Sequence, residues 1–436
     1  MWVYNSAKKE LVELKDSRIT IYNCGPTVYN YVHIGNVRPL VIFDVLTRFL
    51  LRCGRDVYSI QNITDVDDKI INAAAQANIS EEELATKYTY AYLDLFNLLN
   101  IKPMLMPKVS EHIGDIQRYI QGLIDKGAAY IVDGDVYFDV SKAKDYGHIS
   151  GQNINALLEG VRKENKTNKK SPLDFVLWKK TDTGINWDSP WSKGRPGWHT
   201  ECCVLINKYA GDHVTIHGGG VDLKFPHHEN ENAQNVAMTG RDIADVWMHV
   251  GHINVNGAKM SKSLNNYILV KDIITKDNAM GLRWFFYKAK YQQPVNFTKE
   301  LLDASTQEVN AMIKNLNIAK THLVAHDSFT WMPNAKIDRD FEKELSEDLN
   351  LPNAITVIMN QISRLNVLLR SKDYQNANTM YCVIAKELIV LGFPETYGNL
   401  HAEHIGTIKS WQKAIDEHDY AKADELRNIL ISKGLL

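Results

Sequence analysis

The chain has no apolar run long enough to cross a bilayer, which takes roughly 18 consecutive apolar residues or more, so a membrane span is not expected. Residues 1–8 lack the apolar block of a secretory signal. Cysteine is sparse: Cys24, Cys53, Cys202, Cys203 and Cys382 are the only five in 436 residues, which excludes a disulfide framework and points to a reducing, cytoplasmic setting. Charge of one sign is also missing. With a formal net charge of −2, no global positive field advertises a nucleic-acid partner, so any RNA contact must come from local patches such as residues 162–170. What is present is ample material for a core, with 44% hydrophobic residues. The length suggests two to four domains at roughly 150 residues each.

The first organised unit reads as strand, glycine turn, helix, strand. An Ile- and Tyr-rich strand at Arg18–Asn23 breaks at Gly25-Pro26, which cannot continue a ladder. A helix follows over 36–53, with Pro39 tolerated in its first turn and Gly54 as its stop. A second strand runs over 56–64. This βαβ order implies a parallel sheet with a right-handed crossover, and ligands at the carboxyl ends of its strands. A helix capped by Ser80, a further helix over 110–126 and a hairpin turning at Asp133-Gly134 come next. Residues 95–197 read as an insertion, after which the sheet resumes with a helix at 198–209, a strand at 213–217, a helix at 226–238 and a strand at 246–255. Beyond Thr298 the period is helical throughout, with Thr298 and Asp340 as expected N-caps, so the tail reads as a helical bundle. The expected fold class is therefore α/β: a Rossmann-like parallel-sheet domain carrying an insertion, followed by a C-terminal α-helical bundle.

Two short motifs carry the chemistry. His33-Ile34-Gly35-Asn36 stands at a βα junction, where free backbone N–H groups and the helix dipole attract phosphate. Taken alone it reads more readily as a surface histidine before a glycine turn. Lys259-Met260-Ser261-Lys262-Ser263 puts two lysines three apart in a loop after a strand, which suits a phosphoryl transition state in need of positioned cations. Taken alone it is equally a solvated loop. A third pattern concerns metal. His227 and Glu231, four apart on an expected helix, share one face, and Cys24 and Cys202 offer thiolates from other element ends, a soft set suited to one zinc ion. His228 is the competing imidazole, but Asn232 is a poor partner at its i+4 position. Cys203 is the competing thiol, turned about 100° from Cys202 on a helix. Buried structural cysteines are the plainer alternative.

Longer stretches then name a family. Tyr22-Asn23-Cys24-Gly25-Pro26-Thr27-Val28-Tyr29, Asn62-Ile63-Thr64-Asp65, Gly194-Arg195-Pro196-Gly197-Trp198-His199-Thr200-Glu201-Cys202, His217-Gly218-Gly219-Gly220, Phe225-Pro226-His227-His228-Glu229-Asn230-Glu231 and the lysine loop occur in this order, and with them the chain resembles the bacterial cysteinyl-tRNA synthetases over nearly its whole length. The resemblance implies ATP-dependent activation of L-cysteine to cysteinyl-adenylate and transfer to tRNA(Cys). It implies one zinc per chain on Cys24, Cys202, His227 and Glu231, and Mg2+ accompanying ATP. His33, Asn36, Lys259 and Lys262 would serve catalysis; Pro26, Thr27, His33, Gly35, Asn36, Gly218, Gly219 and Lys262 would contact ATP; Thr64 and Trp198 would line the amino-acid pocket. His217 and the glycines after it would approach adenosine with bare backbone. The implied division is 1–94 and 198–256 for the halves of the catalytic domain, 95–197 for an acceptor-stem-side insertion, 257–297 for the lysine loop and linking helices, and 298–436 for an anticodon-binding-type bundle. The implied oligomeric state is a monomer. A cysteine ligase of mycothiol biosynthesis is similar in the same core but lacks the developed bundle, and a non-catalytic tRNA- or metal-binding paralogue is the remaining alternative. Asn36 stands where many class I enzymes have histidine, and the end at Leu436 leaves the anticodon contacts unassigned.

Overall fold

The structure is a computed structural model, described for residues 1–152, 169–260, 266–395, 398 and 401–436. The chain divides into two units, one of Met1–Ile273 with Gln292–Val295, the other of Ile274–Tyr291 with Asn296–Leu436.

The first unit opens with an antiparallel hairpin, β1 (Trp2–Asn5) and β2 (Glu10–Glu13), which alternation over only four residues a side did not disclose. Its centre is a parallel sheet in the order β10-β9-β3-β4. Strand β3 (Arg18–Asn23) leads into α1 (Ile34–Arg52), which ends at Cys53 and the left-handed Gly54. Then comes β4 (Asp56–Ile60), shorter than expected. The ladder stops there because Gln61 N and Ile63 N donate to Leu105 O and Pro107 O, each at 2.9 Å. Two helices, α2 (Asp68–Ala77) and α3 (Glu81–Leu98), follow, and Ser80 Oγ caps the latter by accepting from Glu83 N at 3.1 Å. After α4 (Ile113–Asp125) a separate antiparallel sheet forms from β5 (Ala129–Val132), β6 (Asp135–Phe138), β7 (Phe175–Lys180) and β8 (Gly194–Pro196). Asp133 and Gly134 both have positive φ, the conformation an Asp-Gly hairpin turn demands.

The parallel sheet is completed by α5 (Trp198–Ala210), β9 (Val214–Gly220), α6 (His227–Thr239) and β10 (Ala244–Val250). The expected strand over 246–255 is broken, with β11 (Ile253–Val255) separate and paired to β12 (Ala258–Lys259). The reason is Arg38: its buried guanidinium takes the carbonyls of Gly251 at 2.8 Å and Gln293 at 2.7 Å, so the backbone at 251 turns toward a cation rather than a neighbouring strand. Strand order reverses at β3, with β4 on one side and β9 on the other. The crevice beyond their carboxyl ends is where open α/β sheets bind ligands. Cys24 and Gly220 both stand there.

The second unit is nearly all helix: α7 (Ala279–Tyr287), α8 (Lys299–Ala325), α9 (Arg339–Ser346), α10 (Leu351–Arg370), α11 (Tyr374–Val390), α12 (Ala402–Asp416) and α13 (Tyr420–Ser432). Thr298 caps α8 as expected, its side chain accepting from Leu301 N. The cap of α9 is Asp338 rather than Asp340, because Asp338 Oδ1 accepts the Asp340 N–H at 2.8 Å. No helix of the described residues is long and apolar enough to cross a membrane.

Candidate functional site

A cavity of about 330 Å³ opens at the switch point, walled by Cys24–Thr27, Tyr29–His33, Gly35, Asn36, Trp198, Gly220, Asp222, Leu223, Met260 and Tyr267, among others. The end suited to phosphate is the start of α1. His33 Nδ1 accepts from Gly35 N at 3.0 Å, and Asn36 Oδ1 accepts from His33 N at 3.3 Å, so the two signature side chains cap the helix reciprocally. This gives the asparagine a structural duty: its oxygen serves the helix, and the residue lines the cavity. Gly35 is needed bare here, since a Cβ would lie 2.8 Å from the His33 ring and 3.2 Å from Met260 Cε. Pro26 and Thr27 line the cavity, the latter bridged to Thr64. Of the glycine run, Gly220 lines the cavity; Gly218 lies deeper, where a Cβ would come within 1.9 Å of Met248 O, so sheet packing alone accounts for it.

The opposite end gathers metal-type donors. Cys24 follows β3, Cys202 projects from α5, and His227 and Glu231 lie one turn apart on α6. One ligand atom from each of these four residues falls within 4.8 Å of the other three. Cys24 Sγ is 3.9 Å from Cys202 Sγ and 3.7 Å from Glu231 Oε1. His227 Nε2 is 2.7 Å from Glu231 Oε1 and 3.7 Å from Cys202 Sγ. Two soft sulfurs, an imidazole and a carboxylate suit tetrahedral zinc. Cys203 is excluded, because its thiol donates to the Glu231 and His199 carbonyls.

The electrostatics match a closely coupled cluster. Burial alone would push His227 down, but Glu231 and Cys202 beside it hold it up at about 10. Glu231 stays well below the usual carboxylate range despite burial, because His227 and His217 face it. Burial raises the Cys24 thiol; at Cys202 the Cys24 hydrogen bond and His227 overcome burial and bring it to about 7.

Several partners were not foreseen. His217, of which only the backbone was assigned a part, buries its imidazole with Nε2 2.6 Å from Glu231 Oε2. His228 Nε2 is 3.3 Å from Cys24 Sγ, and its Nδ1 is 2.8 Å from His249 Nε2, which continues to Ser6 Oγ. Cys24, His217, His228 and Glu231 thus form a second convergent donor group. Spacing within α6 sets His228 only against Asn232 of its own helix. Asn232 turns away to Asp242 and Ile243 N, and the relevant partners come from strands.

Trp198, 37% exposed, stacks on His227 with ring centroids 4.1 Å apart, which places it between the cavity and the donor cluster. Thr64 is fully buried and does not line the cavity; its hydroxyl donates to Glu201 Oε2 at 3.0 Å and accepts from Asn62 Nδ2 at 3.0 Å. The same Asn62 accepts Gly25 N at 2.8 Å, so Thr64 acts on the Cys24 turn through Asn62. The backbone of Lys259 ends β12 opposite Asn254. Lys262 and residues 162–168 lie outside the described residues.

Comparison with known proteins agrees with this arrangement. Residues 10–307 match the family model for the tRNA synthetases class I (C) catalytic domain. The chain is 46% identical to the cysteine–tRNA ligase of Malacoplasma penetrans and 44% identical to that of Ureaplasma parvum, each over 100% of both chains. It is 40% identical to that of Geobacillus thermodenitrificans over 100% of this chain and 96% of the relative. Among solved structures, a Mycobacterium tuberculosis methionyl-tRNA synthetase in complex with methionyl-adenylate superposes with a TM-score of 0.59 at 13% identity, covering 91% of each chain. A ternary complex of the Agrobacterium radiobacter leucyl enzyme gives 0.61 at 10% identity, over 92% of this chain and 86% of that one. These structural likenesses speak to fold alone. With a family model over most of its length and full-length relatives of one name, the chain belongs to the cysteine–tRNA ligases, class I aminoacyl-tRNA synthetases.

Proposed function

We propose that this cavity joins L-cysteine to ATP and passes the aminoacyl group to the terminal adenosine of tRNA(Cys). The observation that carries the reading is the convergence, in one cavity, of a capped helix N-terminus at one end and Cys24, the cavity-lining member of a soft donor cluster, at the other.

In the first step a carboxylate oxygen of cysteine attacks the α-phosphorus of ATP, the bond to the β-phosphate breaks, and pyrophosphate leaves. In the second a ribose hydroxyl of the tRNA end attacks the acyl carbon and AMP leaves. The start of α1 faces the phosphates with a positive dipole end and with the donors of His33 and Asn36. Lys259 and Lys262 are assigned to the charge that develops during transfer, and magnesium accompanies the nucleotide. Cys24, Cys202, His227 and Glu231 would hold zinc, which supplies a soft acceptor for a thiolate side chain and none of equal strength for a hydroxyl. Trp198 covers His227 and closes the amino-acid side against water. Selectivity against serine then needs no second site, because a pocket built around a positive interaction rejects an analogue lacking it. The same family reading carries a monomer in the cytoplasm.

The test is ATP–pyrophosphate exchange with cysteine and with serine, on protein of measured zinc content. Exchange with cysteine, silence with serine and about one zinc per chain are expected. Zinc-loaded protein without exchange would move the reading to a binding paralogue.

A further inference from the structure

The two ring nitrogens of His33 have different duties. Nδ1 accepts the Gly35 N–H at 3.0 Å, so in the neutral ring the proton resides on Nε2, which is then a donor. A cap bond fixes one edge of an imidazole but leaves its tilt to whatever packs on it. The packing partner is Tyr267, whose ring meets the His33 ring edge-on, with centroids 4.7 Å apart and planes at 61°.

Tyr267 is itself held. The chain around it runs antiparallel across the first signature, with Ile34 N donating to Ile268 O at 3.1 Å and Val270 N to Val32 O at 3.0 Å. Its hydroxyl is hydrogen-bonded to that of Tyr29, and the Tyr29 ring carries Lys69 Nζ 5.6 Å from its centre. All three rings line the cavity.

We propose that Tyr267, anchored by Tyr29, is a positioning residue that sets the tilt of the His33 imidazole for adenylate formation. The proposal rests on the function proposed above. Its consequence is that Tyr267 contributes to the reaction only while His33 is present. Small misplacements of a positioned group are costly, about 100-fold for 1 Å, so loosening the ring registers in rate.

A double-mutant cycle on ATP–pyrophosphate exchange tests this. Tyr267→Ala should lower kcat on the order of tenfold with the KM for cysteine unchanged, and Tyr267→Phe should recover most of the loss, since the ring edge remains. In a His33→Ala background the same Tyr267→Ala change should cost less than about twofold. Equal losses in both backgrounds, or no loss in the first, would overturn the proposal. Thermal melts and zinc content report whether each variant is folded. If the alanine variant is not, Tyr267→Leu replaces it, keeping bulk without an aromatic edge: loss in Leu and recovery in Phe supports the inference, and equal activity sinks it. Absence of exchange in the unaltered protein would remove the reaction itself and both readings with it, whereas exchange without coupling removes this one alone.

Discussion

A methyl group on residue 25 has nowhere to go. A Cβ there would lie 1.7 Å from the Asn62 carbonyl oxygen, and that neighbour is backbone, which cannot swing aside. Gly25→Ala should therefore destabilise by about 1–3 kcal/mol, as overpacking does, measured by urea unfolding, and should also disturb Cys24 next to it. Cys202→Ser tests the donor cluster at the same scale. A hydroxyl is a poor replacement for a thiolate toward zinc, so metal content by elemental analysis should fall well below one per chain, and cysteine-dependent exchange should drop by on the order of 100-fold. Retained zinc would mean that His228 and His217 substitute for the lost sulfur. The individual donors were legible in sequence, because helical spacing places His227 with Glu231 on one face and Cys203 away from it. His217, His228 and His249 were not, since their partners lie on other elements, and no periodicity within one element encodes a meeting between elements.

At the scale of the element, α1 and α11 each offer a test. Asn36→Asp separates the two duties of the helix start. Aspartate keeps an oxygen for the His33 N–H and suits a helix N-terminus, so the melting temperature should hold or rise. The same charge repels phosphate, so the KM for ATP should rise by about tenfold, roughly 1.4 kcal/mol. A parallel loss of both would mean that residue 36 is only a cap. In α11, Glu387 is fully buried. Its Oε1 accepts from Asp338 N at 2.8 Å and Gln361 Nε2 at 3.1 Å, while its Oε2 and Gln361 Oε1 have no hydrogen-bond partner among the described residues. Burial outweighs those bonds and lifts the carboxyl from 4.5 to about 7. The folded state thus holds the proton more tightly than the unfolded one, so this stabilisation is complete below pH 4.5 and is lost as the pH rises through 7. Glu387→Gln should stabilise the protein at pH 8 by up to about 3 kcal/mol, and the gain should vanish toward pH 4.5, read from urea unfolding at both pH values. Elements with strong local signals were legible: the βαβ start, the Asp133-Gly134 hairpin and the long helices. The breaks at residues 61 and 251 were not, because Leu105 and Arg38, remote in sequence, take the backbone groups that would have continued the strands.

For the molecule as a whole, the donor cluster joins the end of β3 to α5 and α6 of the same unit, Cys24 meeting Cys202 across a separation of 178 residues. Removing metal with a chelator should lower hydrogen-exchange protection in these three segments and leave α10 and α11 unaltered, since ligands that bind only the folded state stabilise what they join. Uniform loss over both units would show that the metal governs the whole chain. The parallel fold class was readable from element order. Its strand order was not, because it depends on where residues past 210 return to pair.

That return has a bearing on synthesis. Strand β3 is made well before β9, which closes one of its two edges, with Ile21 opposite Ile216. Thr20 and Thr215 exchange backbone-to-hydroxyl bonds across 195 residues of intervening chain. At ribosomal speeds of about 5–20 residues per second, that edge stands open for roughly 10–40 seconds while the intervening chain is translated. During this interval the chain presents a bare, apolar parallel strand, the kind of surface that recruits chaperones or neighbouring nascent chains. The architecture that brings Cys24 to Cys202 therefore leaves the chain most vulnerable before its sheet is closed, while it is still being made.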